Sequence, residues 1–329
     1  MTAKMFLYVV LAFALAFGVS ALGNVSIVEN SVALSGNPGA INSSGIINVA
    51  NIGTGSLGNI VVNATDMTSG SLSISKTALQ FVPSALSLDT GASSPVAIIL
   101  SLPSNQKAGT YTGMINAVFD ASNQDSASLS VTVNAVPSYS ASGNSPSLVQ
   151  GLPGQLTVTV VNTGNADISG LAYAVSDTFV SGANLISPEG AKTGTVSVAY
   201  GASATFTVAL SPGASQATGT YAGHVNLSYS GISQTVPLTF NIQSINRQLS
   251  ASASSASVKV NRVGGFVQNT NYGTLTLNNT GNYPLSGVTV SASSLTGPAV
   301  IPSSGISFSD NGFALGVGAG KQVFVTPIV

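Results

Sequence analysis

From Asn24 onward the chain is written in short alternating runs. In an extended GTYTGMINAVF, which begins at Gly109, Tyr111, Gly113, Ile115, Ala117 and Phe119 share one side and Thr112, Met114, Asn116 and Val118 the other, because successive side chains of a strand point to opposite faces. The run GTYAGHVNLSY begins 110 residues later, at Gly219, and puts Tyr221, Gly223, Val225, Leu227 and Tyr229 on the first side and Ala222, His224, Asn226 and Ser228 on the second. The first sides match and the second sides diverge, as a shared core with a solvent face predicts. Helical periodicity is scarce, and Gly, Pro and Asn break the runs at short intervals, which reads as strand after strand.

Two further markers recur in the same order. NIGTGSLGNIVV starts at Asn51, NTGNADISGLAY at Asn162 and NTGNYPLSGVTV at Asn279, spacings of 111 and 117 residues. GASSPVAIILSLP from Gly91 matches GASATFTVALSP from Gly201 and, more loosely, GAGKQVFVTPIV from Gly318. Three diverged copies of one unit of about 100 residues account for all of this.

Alternation names the core of each copy. It comprises Ile47, Val49, Ile60, Val62 and Ala64 in the first, Val158, Val160, Leu171, Tyr173 and Val175 in the second, and Leu275, Leu277, Val288, Val290 and Ala292 in the third. Later strands add Val96, Ile98 and Leu100 or Phe206, Val208 and Leu210, then Leu129, Val131 and Val133 or Val236, Leu238 and Phe240. Pro237 falls inside the last of these and is expected at a sheet edge, where no ladder donor is lost. About seven short antiparallel strands per copy predict an all-β Greek-key sandwich, with a barrel as the alternative. The expected division is a leader at 1–21, then units at 22–136, 137–245 and 246–329, joined by segments such as VPSYSASGNSPS and QSINRQLSASASSAS. Such linkers predict a string able to bend.

The third copy has its NTGN turn and its GAGKQVFV strand but neither a tyrosine strand nor a closing one before Val329. Two strands bury about eight side chains at ~1.5–3 kcal/mol each, more than a domain's usual net stability of ~5–15 kcal/mol. The third sandwich is therefore expected to be incomplete. Either the sequence belongs to a longer protein, the favoured alternative, or another subunit donates a strand to its open edge.

Composition narrows the function classes. Charged residues make up 5% against a hydrophobic 44%, so Ser, Thr, Asn and Gly supply the surface polarity. Eight basic and nine acidic residues offer no field for nucleic acid. Lys4 followed by the apolar run MFLYVVLAFALAFGV and small residues at Val19, Ser20 and Ala21 reads as a cleavable export signal, after which no membrane span is expected; the alternative is an uncleaved anchor, for which the run is shorter than the ~20 apolar residues of a span. With no cysteine, the domains must be held by packing alone.

Strands ending in V-x-N-T-G-N at Asn162–Asn165, a following x-G-x-x-V strand and a late G-T-Y-x-G strand resemble the Ig-like repeats, including the cell-adhesion-related type, of archaeal and bacterial secreted and surface-layer proteins. The resemblance covers nearly all of the chain after the leader. It implies tandem Ig-like Greek-key β-sandwiches serving as stalks, spacers or lattice modules, and it carries over no catalytic residue. Tyr111 and Tyr221 resemble the tyrosine corner of such sandwiches, whose hydroxyl bonds back to the backbone; a plain buried tyrosine is the alternative.

Candidate chemistry is sparse. His224 is the single histidine and faces outward, so a Ser-His-Asp arrangement would need two partners on an open face. DASNQD at 120–125 offers oxygen ligands of the calcium type and reads equally as a hairpin loop. A carbohydrate platform would need exposed aromatics, and with no tryptophan only Tyr139, Tyr200 and Tyr283 are left in loops. Sequons begin at Asn24, Asn42, Asn63, Asn226 and Asn278, although about six would arise by chance in a chain this rich in Asn, Ser and Thr. Asn63 and Asn226 are expected to face outward, as glycan attachment requires, with Asn42 and Asn278 as further candidates. The sequence thus predicts a non-enzymatic exported cell-surface protein without cofactor or metal. Its expected partners are other surface proteins, copies of itself and glycans. The alternative is an accessory, carbohydrate-binding region of a larger secreted hydrolase.

Overall fold

A computed structural model describes residues 23–254, 261–263, 266–268, 273–297, 300 and 302–327. The predicted export signal lies outside these residues. The described chain is built of strands and two short 3-10 turns, with no α-helix among them.

The first unit comprises β1 (Val25–Ile27), β2 (Ser31–Gly36), β3 (Ile41–Asn51), β4 (Leu57–Ala64), β5 (Met67–Ser69), β6 (Leu72–Ile74), β7 (Leu79–Val82), β8 (Ala85–Leu88), β9 (Ser93–Ser101), β10 (Gly109–Asp120) and β11 (Asn123–Val133). One sheet runs β1-β3-β9-β7 and the other β2-β11-β10-β4-β8, with the small hairpin β5–β6 hung on β10. The alternating apolar residues of both sheets meet in one core, which contains Ile47, Val49, Ile60, Val62, Val96, Ile98, Tyr111, Ile115 and Val131.

The second unit repeats the plan with β12 (Tyr139–Gly143), β13 (Ser147–Val149), β14 (Gly154–Asn162), β15 (Ile168–Val175), β16 (Phe179–Ser181), β17 (Asn184–Ile186), β18 (Thr193–Val198), β19 (Ser203–Leu210), β20 (Gly219–Tyr229) and β21 (Ile232–Gln243). Its sheets are β12-β14-β19 and β13-β21-β20-β15-β18, around a separate core that includes Val158, Leu171, Phe179, Tyr221, Leu227 and Phe240.

The third unit contains β22 (Leu249–Ala253), β23 (Asn261–Val263), β24 (Phe266–Gln268), β25 (Gly273–Asn279), β26 (Leu285–Val288), β27 (Ile306–Phe308), β28 (Phe313–Leu315) and β29 (Gly320–Pro327). It forms one sheet β22-β25-β29-β27 and the pairs β26–β28 and β23–β24. Among its described residues only Leu277, Leu315 and Val323 form the buried cluster, with Leu275, Val288 and Val290 partly covered beside it.

Four local expectations need correction. The pairing is not all antiparallel: β2 runs parallel to β11 and β13 parallel to β21. In each of the first two units the opening strand divides, its halves forming one edge of each of the two opposite sheets. Phe119 is 38% exposed rather than inward, because the β10–β11 register shifts between Val118 and Asp120 and the bulge breaks the alternation there. Tyr139 is a core residue rather than a loop aromatic; burial pushes its phenol's pKa up, and its hydroxyl donates to the carbonyls of Leu227 and Ile232.

Pro237, finally, sits within β21, which has neighbours on both sides in the sheet. Its register equivalent in the first unit, Ser128, donates its N–H to the Asn30 carbonyl. Proline has no such donor. The parallel partner β13 pairs only with residues 241–243, whereas β2 pairs with residues 128–133. The ladder therefore begins beyond the proline.

Candidate functional site at the junctions between units

The first Asn of each turn marker is the internal tie of its unit. Asn162 is 3% exposed; its Nδ2 donates to the carbonyls of Ala166 (2.8 Å) and Val198 (3.1 Å), and its Oδ1 accepts from the Gly164 N–H. Asn51 does the same with Gly55, Leu88 and Gly53, and Asn279 with Tyr283, Leu315 and Gly281. A primary amide supplies two donors and an acceptor in one plane, which is why the letter recurs three times.

The second Asn faces the other way, toward the segment that enters from the preceding unit. Asn165 Oδ1 accepts from the Val136 N–H at 2.7 Å, and its Nδ2 donates to the Asn134 and Gln106 carbonyls. The turn's own N–H groups join in: those of Thr163 and Gly164 donate to the Ser138 carbonyl, and that of Asn165 to the Val136 carbonyl. Asn282 repeats the arrangement, accepting from Asn246 N–H and donating to the Ser244 carbonyl, while Thr280 and Gly281 N–H groups donate to the Gln248 carbonyl. The glycine between the two asparagines lets the backbones approach. A Cβ on Gly164 would lie 2.6 Å from Ser138 N and Val136 O, and one on Gly281 would collide with the Asn246 carbonyl.

Between the first two units this contact spreads into a larger surface. The Ala108 N–H donates to the Asn165 carbonyl, the Tyr200 hydroxyl donates to the Asn105 carbonyl at 2.7 Å, and Lys107 pairs with Asp167 at 3.3 Å. The Tyr200 N–H, followed by the Lys107 ammonium, holds the Asp167 carboxyl below the ordinary aspartate value. An open groove at this place is lined by uncharged residues, among them Asn37, Ser104, Val136, Gly164 and Tyr200. At the next junction Arg247 stacks over the Tyr283 ring at 4.6 Å. Tyr200 and Tyr283 thus sit at junctions, far apart, and form no common aromatic surface with the buried Tyr139.

Tyr111 and Tyr221 are fully buried. Their hydroxyls donate four residues back, to the carbonyls of Lys107 (2.8 Å) and Ala217 (2.9 Å). The glycines that start these strands have φ of 149° and 130°, a region that a side chain would oppose. Tyr221 also accepts from Gln216 Nε2. Gln216 and its counterpart Gln106 donate to the Leu185 and Ser73 carbonyls, tying the small hairpins to this corner.

His224 meets Ser176, whose Oγ lies 3.0 Å from its Nδ1. That hydroxyl also bonds the His224 carbonyl and N–H, and the neighbouring Asp177 pairs with Lys192; the group stitches β15 to β20. The 120–125 loop is likewise engaged. Asp125 accepts from Ser26 Oγ and Ile27 N–H, and Asn123 from Val25 N–H, so the loop pins β1 to its sandwich. No group of three metal-ligating side chains occurs among the described residues, and none of their helices is long and apolar enough to cross a membrane.

The sequon asparagines separate by environment. Asn63 and Asn226 are exposed on the outer face of the larger sheet. Asn63 Oδ1 accepts from Asn116 and Asn226 Oδ1 from Thr235, and neither Nδ2 has a partner among the described residues. Asn116 and Asn226 occupy the same position after their tyrosines, so both sequons fall on one patch of the repeated sheet. Asn278 is half-buried in β25, and Asn42 pairs with Leu100 in the β3–β9 ladder, its side chain outside the described ones.

The second asparagine and the Gln pair escaped sequence reasoning. Their signals were present, as a fourth letter shared by NTGN at 162 and 279 but written Thr54 in the first copy, and as a glutamine five residues before each tyrosine.

No protein family matches this sequence, and no characterised protein does. Among solved structures, human CDH23 EC21-23 is 13% identical, with 93% of this chain and 91% of that one covered and a TM-score of 0.40. The extracellular cadherin domains 1-4 of protocadherin gamma B7 give 11%, 79%, 73% and 0.37. A family 123 glycoside hydrolase from Clostridium perfringens is 14% identical over 40% of this chain, which spans 31% of that protein, at a TM-score of 0.30. These values mark a loose likeness among strand-rich chains.

Proposed function

We propose that this chain is a non-enzymatic, exported cell-surface protein whose Ig-like units act in series as a structural or adhesion module of the surface-layer kind. The observation that carries this reading is the series itself: units with separate cores, built on the same turn, the second and third of them bonded to the main chain that arrives from the unit before. The polar clusters that could have carried chemistry are taken up in holding strands together. Partners would be neighbouring surface proteins or further copies of the chain. Asn63 and Asn226, exposed on the equivalent sheets of the first and second units and with no Nδ2 partner among the described residues, are the glycan attachment points of this reading.

Surface proteolysis of intact source cells, with microscopy using an antibody to the chain, tests location; protein found only inside protease-protected cells overturns the reading. Mass spectrometry of the purified source protein tests attachment. Sugar is expected on peptides holding Asn63 or Asn226 and not on the one holding half-buried Asn278, and unmodified Asn63 and Asn226 refute it.

A further inference from the structure

Each entering segment lies across its turn with the same polarity and the same set of bonds. Val136 stands to Asn165 as Asn246 does to Asn282, and Ser138 to Gly164 as Gln248 does to Gly281. The two segments share no residue at corresponding positions: one reads Asn-Ala-Val-Pro-Ser from Asn134, the other Ser-Ile-Asn-Arg-Gln from Ser244. What the turn contacts is therefore their N–H and C=O groups. We infer that the NTGN turn is a socket for the main chain arriving from the preceding unit, which seats each unit that carries it on a predecessor at a set register, whatever the linker's side chains.

Three features act together in the socket. The first asparagine closes the turn on its own unit, so the receiving N–H groups are already aimed outward. Glycine removes the Cβ that would hold the incoming backbone away. The second asparagine matches one N–H and one C=O two residues apart, the spacing that an extended segment presents on one side. At the first junction the same asparagine also takes the Gln106 carbonyl, and its own carbonyl takes the Ala108 N–H. The loop before Tyr111 thereby becomes part of the seat. Such seating would restrict the bending that the linker composition alone allows. The socket follows from the geometry alone and stands or falls separately from the cell-surface role.

Hydrogen exchange on the full chain reads the socket residue by residue. In Asn165→Ala, and in Asn165→Thr, which writes the first copy's letter, the Val136 and Ala108 amides are expected to exchange roughly fivefold faster or more. Core amides of the second unit, such as those of Val225 and Leu227, should hold their rates. Gly164→Ala should have the same selective effect by sterics. Replacing residues 134–138 together by the letters of 244–248 should leave the protection of residue 136 in place. The inference is overturned if Val136 protection is unchanged in all three point variants. It is also overturned if the second unit's core amides accelerate in step with Val136, which would make Asn165 a fold residue, or if the linker exchange alone abolishes protection.

Discussion

Asn162→Ala tests the idea that each unit hangs on one buried amide. The side chain is 3% exposed and satisfies the Ala166 carbonyl, the Val198 carbonyl and the Gly164 N–H. Each buried group left without a partner costs ~1–3 kcal/mol. Ala166 and Gly164 lie near the surface, where water can partly replace the amide, whereas Val198 is 2% exposed. The expected loss is therefore ~2–5 kcal/mol, a large part of a domain's ~5–15 kcal/mol. Because units with separate cores need not unfold together, a single melting curve is the wrong readout. Native-state hydrogen exchange resolves the units: core amides of the second, at Val158 and Leu227, should exchange about 1.5 to 3.5 orders of magnitude faster, while those of Val96 and Val131 in the first keep their rates. Asn162→Asp should be worse at neutral pH than in acid, since an anion would face two carbonyls and its folded pKa would be raised; the lost stability returns as pH falls through that raised value and is fully restored below the unfolded value of ~3.9. A loss under ~0.5 kcal/mol, or equal acceleration in both units, would refute the reasoning.

The two tyrosine corners should differ. Tyr111→Phe strands only the Lys107 carbonyl, for ~1–2 kcal/mol, whereas Tyr221→Phe also removes an acceptor from Gln216 Nε2 and should cost ~1 kcal/mol more; equal losses by calorimetry would count against the Gln216 contact. Gly223→Ala places a Cβ 2.5 Å from Cδ1 of Phe179, whose buried ring packs edge-on to Phe240 at 5.3 Å, so overpacking of ~1–3 kcal/mol is expected. Gly113→Ala meets the flexible Met67 at 3.0 Å and should be milder, and the reverse order in denaturant midpoints would be a failure. Asp167, with its lowered pKa, contributes to the junction above the unfolded value of ~3.9 and loses that contribution as pH falls through the lower folded one. The Tyr200 amide should lose protection in acid relative to the second unit's core, and Asp167→Asn should flatten that profile; a pH-independent wild type would disprove the link.

The repeat was legible because its letters are tied to local geometry. Tyr111 and Tyr221 follow glycines that only a turned backbone needs, and Val158, Val160, Leu171 and Val175 alternate because strands do. Phe119 was misplaced for the same reason, since alternation assumes an unbroken register and a bulge shows no letter of its own. Asn165 and Asn162 are identical in type and three residues apart, yet one bonds its own unit and the other the preceding one.

Strand positions, the three-fold recurrence of the turn and most of the inward residues belong to the sequence alone, because a period of two and a turn residue act over a few neighbouring peptides. Tertiary structure decided that β2 and β13 run parallel to strands about 100 residues later, that Pro237 shortens such a pairing, and that Asn165 and Asn282 hold an incoming backbone. Those outcomes depend on which distant main-chain groups are left needing partners once the sheets have formed, a condition that no stretch of letters contains.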